Sequence, residues 1–73
     1  TNVLYPNPAT DKFSIDSNQG IVKIEMYDLN GKLLLSEHNC NSLSISSFDR
    51  GVYQVKVFLM NKETINRKLM IID

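Results

Sequence analysis

Along most of this chain apolar residues fall on every second position, the period of strands that bury one face. Phe13 and Ile15 alternate with Lys12, Ser14 and Asp16 until Asn18-Gln19-Gly20 ends the run. From Ile21 to Asp28, Val22, Ile24 and Met26 point one way and Lys23, Glu25 and Tyr27 the other. Leu33 and Leu35 resume the pattern after a turn, and Leu43 and Ile45 form a short strand among serines. Between Gly51 and Leu59, Tyr53, Val55 and Val57 share a face opposite Gln54 and Lys56. Ile65, Arg67, Leu69 and Ile71 mark a last strand, whose end is apolar on both faces because Met70 and Ile72 interleave.

The punctuation fits the same reading. Asp28-Leu29-Asn30-Gly31-Lys32 is a hairpin turn, since Asn and Gly accept the positive φ that tight hairpins need. Asp49-Arg50-Gly51 and Met60-Asn61-Lys62-Glu63 are further turns. Ser46-Ser47-Phe48-Asp49 is room for one helical turn at most, and no segment carries a capped helical stripe. Six to seven short strands without crossover helices predict an all-β fold, a small immunoglobulin-like antiparallel sandwich. The expected core includes Phe13, Ile15, Val22, Ile24, Leu33, Leu35, Tyr53, Val55, Val57, Leu69 and Ile71.

Length and charge narrow the function. With 73 residues, 42% of them hydrophobic, the chain is one domain near the lower size limit for a self-standing core. No apolar run approaches the roughly 18 residues of a membrane span, so membrane insertion is not expected. Thr1 to Pro6 lacks the features of a signal peptide, which places any export peptide elsewhere. Eight basic and eight acidic residues cancel, which argues against nucleic acid as a partner. Cys40 is alone, so no internal disulfide staples the fold. An unstapled domain of this size is expected to lean on a neighbour. The expectation is therefore one domain, residues 1–73, excised from a larger parent lying on its N-terminal side.

Candidate chemistry is sparse. His38 and Cys40, two apart on a strand, would share a face, but the stretch Glu37-His38-Asn39-Cys40-Asn41 reads as a polar loop with a bystander thiol. A Cys–His catalyst needs a cleft, an oxyanion hole and an orienting partner as well. One His, one Cys and scattered carboxylates do not make a zinc set, and Asp28 with Asn30 lacks the later ligands of a calcium loop. No catalytic residue, metal or cofactor is expected. Tyr53 is assigned to the core with its hydroxyl on a backbone partner, Tyr5 to a plug at one end of the sandwich, and Tyr27 to the surface. Tyr5-Pro6-Asn7-Pro8 stands out, because two prolines fix two φ angles and remove two amide donors. A rigid strand-to-strand connection of this kind also makes a good recognition feature.

Three segments together resemble one family. Tyr5-Pro6-Asn7-Pro8-Ala9-Thr10 followed by Phe13-Ser14-Ile15 is similar to its opening, and Met26 through Leu34 to its central hairpin. Ile45 to Phe48 leading into Gly51-Val52-Tyr53-Gln54-Val55-Lys56-Val57, then Lys68-Leu69, is similar to its closing motif. The family is the C-terminal sorting domain of the type IX secretion system of Bacteroidetes bacteria. The resemblance implies the last domain of a secreted cargo, read by the export machinery after the cargo reaches the periplasm and passed through the outer membrane. It implies a surface sortase that usually removes the domain, and no catalysis in the domain itself. Many members end in a lysine-rich tail, whereas this chain ends Lys68-Leu69-Met70-Ile71-Ile72-Asp73. Both removal and retention as a docking module of a machinery component therefore stay open. An adhesive or carbohydrate-binding spacer of a cell-surface protein is the alternative with the same fold.

The residues expected to carry recognition are Tyr5, Pro6, Asn7, Pro8, Asp28, Asn30, Gly31, Gly51, Tyr53, Lys68, Met70 and Ile72. The last three belong to the strand left apolar outward, and the expectation is a sticky edge open to strand addition. Expected partners are the export machinery, the sortase, the N-terminal cargo of the same chain, or a second copy in a homodimer.

Overall fold

The computed structural model describes residues 3–72, so Thr1, Asn2 and Asp73 of the expected 1–73 domain lie outside the described residues. The alternating segments become seven strands: β1 Val3–Tyr5, β2 Lys12–Asp16, β3 Ile21–Tyr27, β4 Leu33–His38, β5 Ser42–Ser44, β6 Gly51–Leu59 and β7 Thr64–Ile71. They form two antiparallel sheets, a three-stranded one in the order β1-β2-β5 and a four-stranded one in the order β4-β3-β6-β7. The described residues contain no helix; Ser46-Ser47 is a turn closed by the Phe48 amide donating to the Ile45 carbonyl at 3.1 Å. Nine residues of β6 at about 3.3 Å each nearly span the molecule's 33 Å long axis, which makes β6 the spine of the larger sheet.

Between the sheets lie Phe13 and Ile15, Ile24 and Met26, Val55, Val57 and Leu59, and Ile65, Leu69 and Ile71. Leu4, Ala9, Leu43 and Ile45 complete this core, and Leu35 and Tyr53 pack half-buried against it. Two expected core residues are exposed instead, Val22 at 40% and Leu33 at 47%. Both sit where a β-bulge breaks the two-residue period. Against β6, Ile21 pairs with Leu59 and Lys23 with Phe58, so Val22 is the extra residue and Ile21 packs on the core in its place. Against β3, Leu35 pairs with Met26 but Leu33 with Tyr27, so Leu34 is the extra residue and Leu33 is thrown to the outer face.

The two long sides of the sandwich differ. Beside β4 and β5 it is open, with a groove of about 260 Å³ lined by Leu35, Glu37, Cys40 and Leu43. On the other side the β1–β2 connection crosses to the edge of β7, where Ala9 bridges Ile71. Arg67 has the inward phase of β7 yet is exposed, and its Nη1 donates to the Asn66 carbonyl at 2.9 Å. An inward-phased charge of this kind blunts the part of the edge that the connection leaves uncovered.

Candidate functional site

The segment with two prolines is a strap. Tyr5-Pro6 and Asn7-Pro8 are both cis, and the chain between them runs alongside β7. Asn7 carries a donor and an acceptor on one planar carboxamide, so its side chain imitates a peptide group. Its Nδ2 donates to the Lys68 carbonyl at 2.9 Å, and its Oδ1 accepts the Met70 amide at 3.0 Å. Ala9 continues the ladder, donating to the Met70 carbonyl and accepting the Ile72 amide, each at 2.8 Å. Ala9 is fully buried, and a larger side chain there would displace the strap.

Two expectations change. The backbone edge from Lys68 to Ile72, expected to be open, is occupied by residues 7–9 of the same chain. Only the side chains of Met70 and Ile72 remain outward, 43% and 42% exposed. Tyr5 plugs nothing: it is 50% exposed, because it sits on the outer side of β1 while Leu4 takes the core.

Two further expected segments lie at this same end of the sheet. Gly51, at φ +153°, opens β6 opposite Ile71, and Val52 pairs with Met70. Tyr53 pairs with Leu69 and anchors the corner before it, its hydroxyl donating to the Asp49 carbonyl at 2.5 Å. Its ring meets Phe48 edge-on at 6.4 Å. Gln54 pairs with both Lys68 and Tyr27, and Tyr27 leads straight into the hairpin. There the Asp28 Oδ1 accepts the amides of Asn30 and Lys32, both at 2.9 Å, which closes the turn. Gly31 takes φ +87°, a conformation costly to any residue with a Cβ. The strap, the hairpin, the corner and the end of β7 thus converge, although the chain separates them by up to sixty-odd residues.

The outer face of the four-stranded sheet, which periodicity alone marked only as polar, is organised as a grid. Register places Leu33, Tyr27, Gln54 and Lys68 in one row and Ser36, Glu25, Lys56 and Asn66 in the next. The Lys23 ammonium lies 3.2 Å from Glu25 and 4.6 Å from the Phe58 ring centre, and Lys56 lies 5.7 Å from that of Tyr27. The Tyr27 hydroxyl donates to Glu25 at 2.5 Å. That hydrogen bond, then the neighbouring Lys23, holds the Glu25 carboxyl below its usual range against the opposing effect of partial burial. The same bond pushes the Tyr27 phenol up. A carboxyl lowered by folding stabilises fully above its unfolded pKa, and the contribution is lost as pH falls through the folded one. Tyr27→Phe is therefore expected to raise the Glu25 pKa and flatten the acid limb of stability. A carboxyl titration by NMR checks this, and an unmoved Glu25 midpoint would refute the assignment.

His38 and Cys40 do not share a strand face. β4 ends at His38, Asn39 turns at φ +54°, and Cys40 packs half-buried on the core. No group of three or more His, Cys, Asp or Glu suited to a metal ion occurs among the described residues.

Residues 3–72 match the family model described as the secretion system C-terminal sorting domain. None of the curated proteins matches the chain.

Proposed function

The chain belongs to the secretion-system C-terminal sorting domains, non-catalytic signals for type IX export, and from that premise we propose that the strapped end of its larger sheet is what the machinery reads. The supporting observation is the stitch between chain ends, in which Asn7 and Ala9 make four hydrogen bonds to Lys68, Met70 and Ile72. Residues that resemble the family's opening and closing motifs form one surface only when the domain is folded. The signal is thus a folded shape, and Tyr5, Met70 and Ile72 are the apolar side chains it offers. In this reading the domain spans residues 1–73 and follows an N-terminal cargo. It crosses from the periplasm through the outer membrane and is then removed by a surface sortase or retained.

A neutral periplasmic reporter fused ahead of residues 1–73, expressed in a type IX-competent bacterium, tests the reading. The fused reporter is expected on the surface or in the medium, and the bare reporter in the periplasm. Periplasmic retention of the fusion would end it.

A further inference from the structure

The outer face of the four-stranded sheet carries more positive charge than it needs. Lys23, Lys56 and Lys68 stand there against Glu25 on the strands and Asp28 at the hairpin turn, in a chain whose net charge is zero. Glu25 is already engaged by Lys23 and Tyr27. Neither Lys56 nor Lys68 has a carboxylate within ion-pair distance among the described residues. Beside them a hollow of about 480 Å³ is lined by Tyr27, Asp28, Leu29, Gly31, Gln54, Lys56 and Asn66, and the Asp28 carboxylate is engaged through Oδ1 by the turn amides of Asn30 and Lys32. The Gln54 and Asn66 side-chain amides make no hydrogen bond among the described residues, which leaves donors facing the same space. Leu29 lines it at 67% exposure, and register sets Leu33, 47% exposed, beside Tyr27 and Met70, 43% exposed, two residues beyond Lys68 on the same face.

We propose that this face docks an extended acidic segment of a protein partner, with carboxylates on Lys56 and Lys68 and apolar side chains against Leu29, Leu33 and Met70. The inference rests on the sorting reading and gives the chemistry of the partner. Register makes Lys56 and Lys68 diagonal neighbours on adjacent strands, roughly 7–8 Å apart at their Cβ atoms. An extended segment spaces alternate side chains by about 6.5–7 Å, which matches that step. These apolar side chains favour a polypeptide over a polyphosphate or an anionic glycan, since neither brings apolar groups to cover them. Complementary charge of this kind sets encounter rate and partner choice.

The test compares reporter fusions to residues 1–73 carrying Lys56→Glu/Lys68→Glu, Lys56→Gln/Lys68→Gln, or the charge-matched control Lys12→Glu/Lys62→Glu. Thermal melts establish that each domain folds, and the neutral glutamine pair serves if the reversal does not. The surface fraction is expected to fall by about tenfold on charge reversal, about threefold on neutralisation, and not at all in the control. Export of the folded reversal pair at the parent level would overturn the proposal, as would an equal fall in the control. A parent fusion that stays in the periplasm defeats the sorting reading instead. In vitro, a peptide alternating Glu and Leu is expected to shift the Tyr27, Gln54 and Asn66 amide resonances, less so as salt rises. Equal shifts with heparin would replace the protein segment with an anionic glycan and overturn the proposal.

Discussion

Ile24→Ala is expected to remove about 3–4 kcal/mol of stability, and Val22→Ala, two residues earlier on the same apolar stripe, no more than about 0.5 kcal/mol. Ile24 is fully buried opposite Val57, so truncation leaves a cavity between the sheets. Val22 is the extra residue of the bulge and stands 40% exposed, so truncation removes little contact. At roughly 0.05–0.15 kcal/mol per residue a domain of this size holds only about 4–10 kcal/mol in total. The Ile24 variant therefore keeps at most about 70% of its stability, and its melting temperature should drop by roughly 15–30 °C. Urea denaturation of the two variants checks the contrast. Equal losses would mean that β3 keeps strict alternation and the bulge is misplaced.

Asn7→Ala should have the next largest effect. It deletes both side-chain bonds to β7, at about 1 kcal/mol each, and leaves the Lys68 carbonyl and Met70 amide to solvent. A loss near 2 kcal/mol and a melting point lower by roughly 10–15 °C are expected. Hydrogen exchange gives the more specific readout, because the Met70 amide should exchange much faster while Val55 and Val57 keep their protection. An uncovered edge also invites strand pairing between molecules, so the variant should self-associate more readily. Asn7→Asp keeps an acceptor for Met70 but turns a carboxylate toward the Lys68 carbonyl, so it should recover little at neutral pH. A loss below about 0.5 kcal/mol with Met70 still protected would show that the strap holds without this side chain.

The strands were legible because alternation is the direct imprint of a half-buried sheet; β2 and β6 keep it unbroken through their cores, and β7 departs from it only at Arg67. It failed at Val22 and Leu33 for one reason. A bulge inserts a residue without changing composition, so the apolar pattern runs on while the backbone changes phase. Asp28 and Gly31 announced their turn through residue chemistry, and Tyr53 its backbone bond through its place on an apolar face. The role of Asn7 was not legible. The prolines marked a rigid segment, but nothing local reveals that a carboxamide will pair with a strand more than sixty residues on. The same gap produced the expectation of an open edge at Met70 and Ile72. Outward apolar side chains on β7 were visible in the sequence, and the strap covering the backbone between them was not.

The central claim is that the folded end where strap and β7 meet is the sorting signal. Met70→Lys/Ile72→Lys addresses it most directly, because both side chains point outward while the backbone bonds of both residues stay intact. The measurement is the surface fraction of a reporter fused ahead of residues 1–73, parent against double variant, with circular dichroism melts of both domains. Surface delivery of the parent and periplasmic retention of a variant that melts like it are the predicted results. Normal surface delivery of the folded variant would contradict the claim and move the signal to another face.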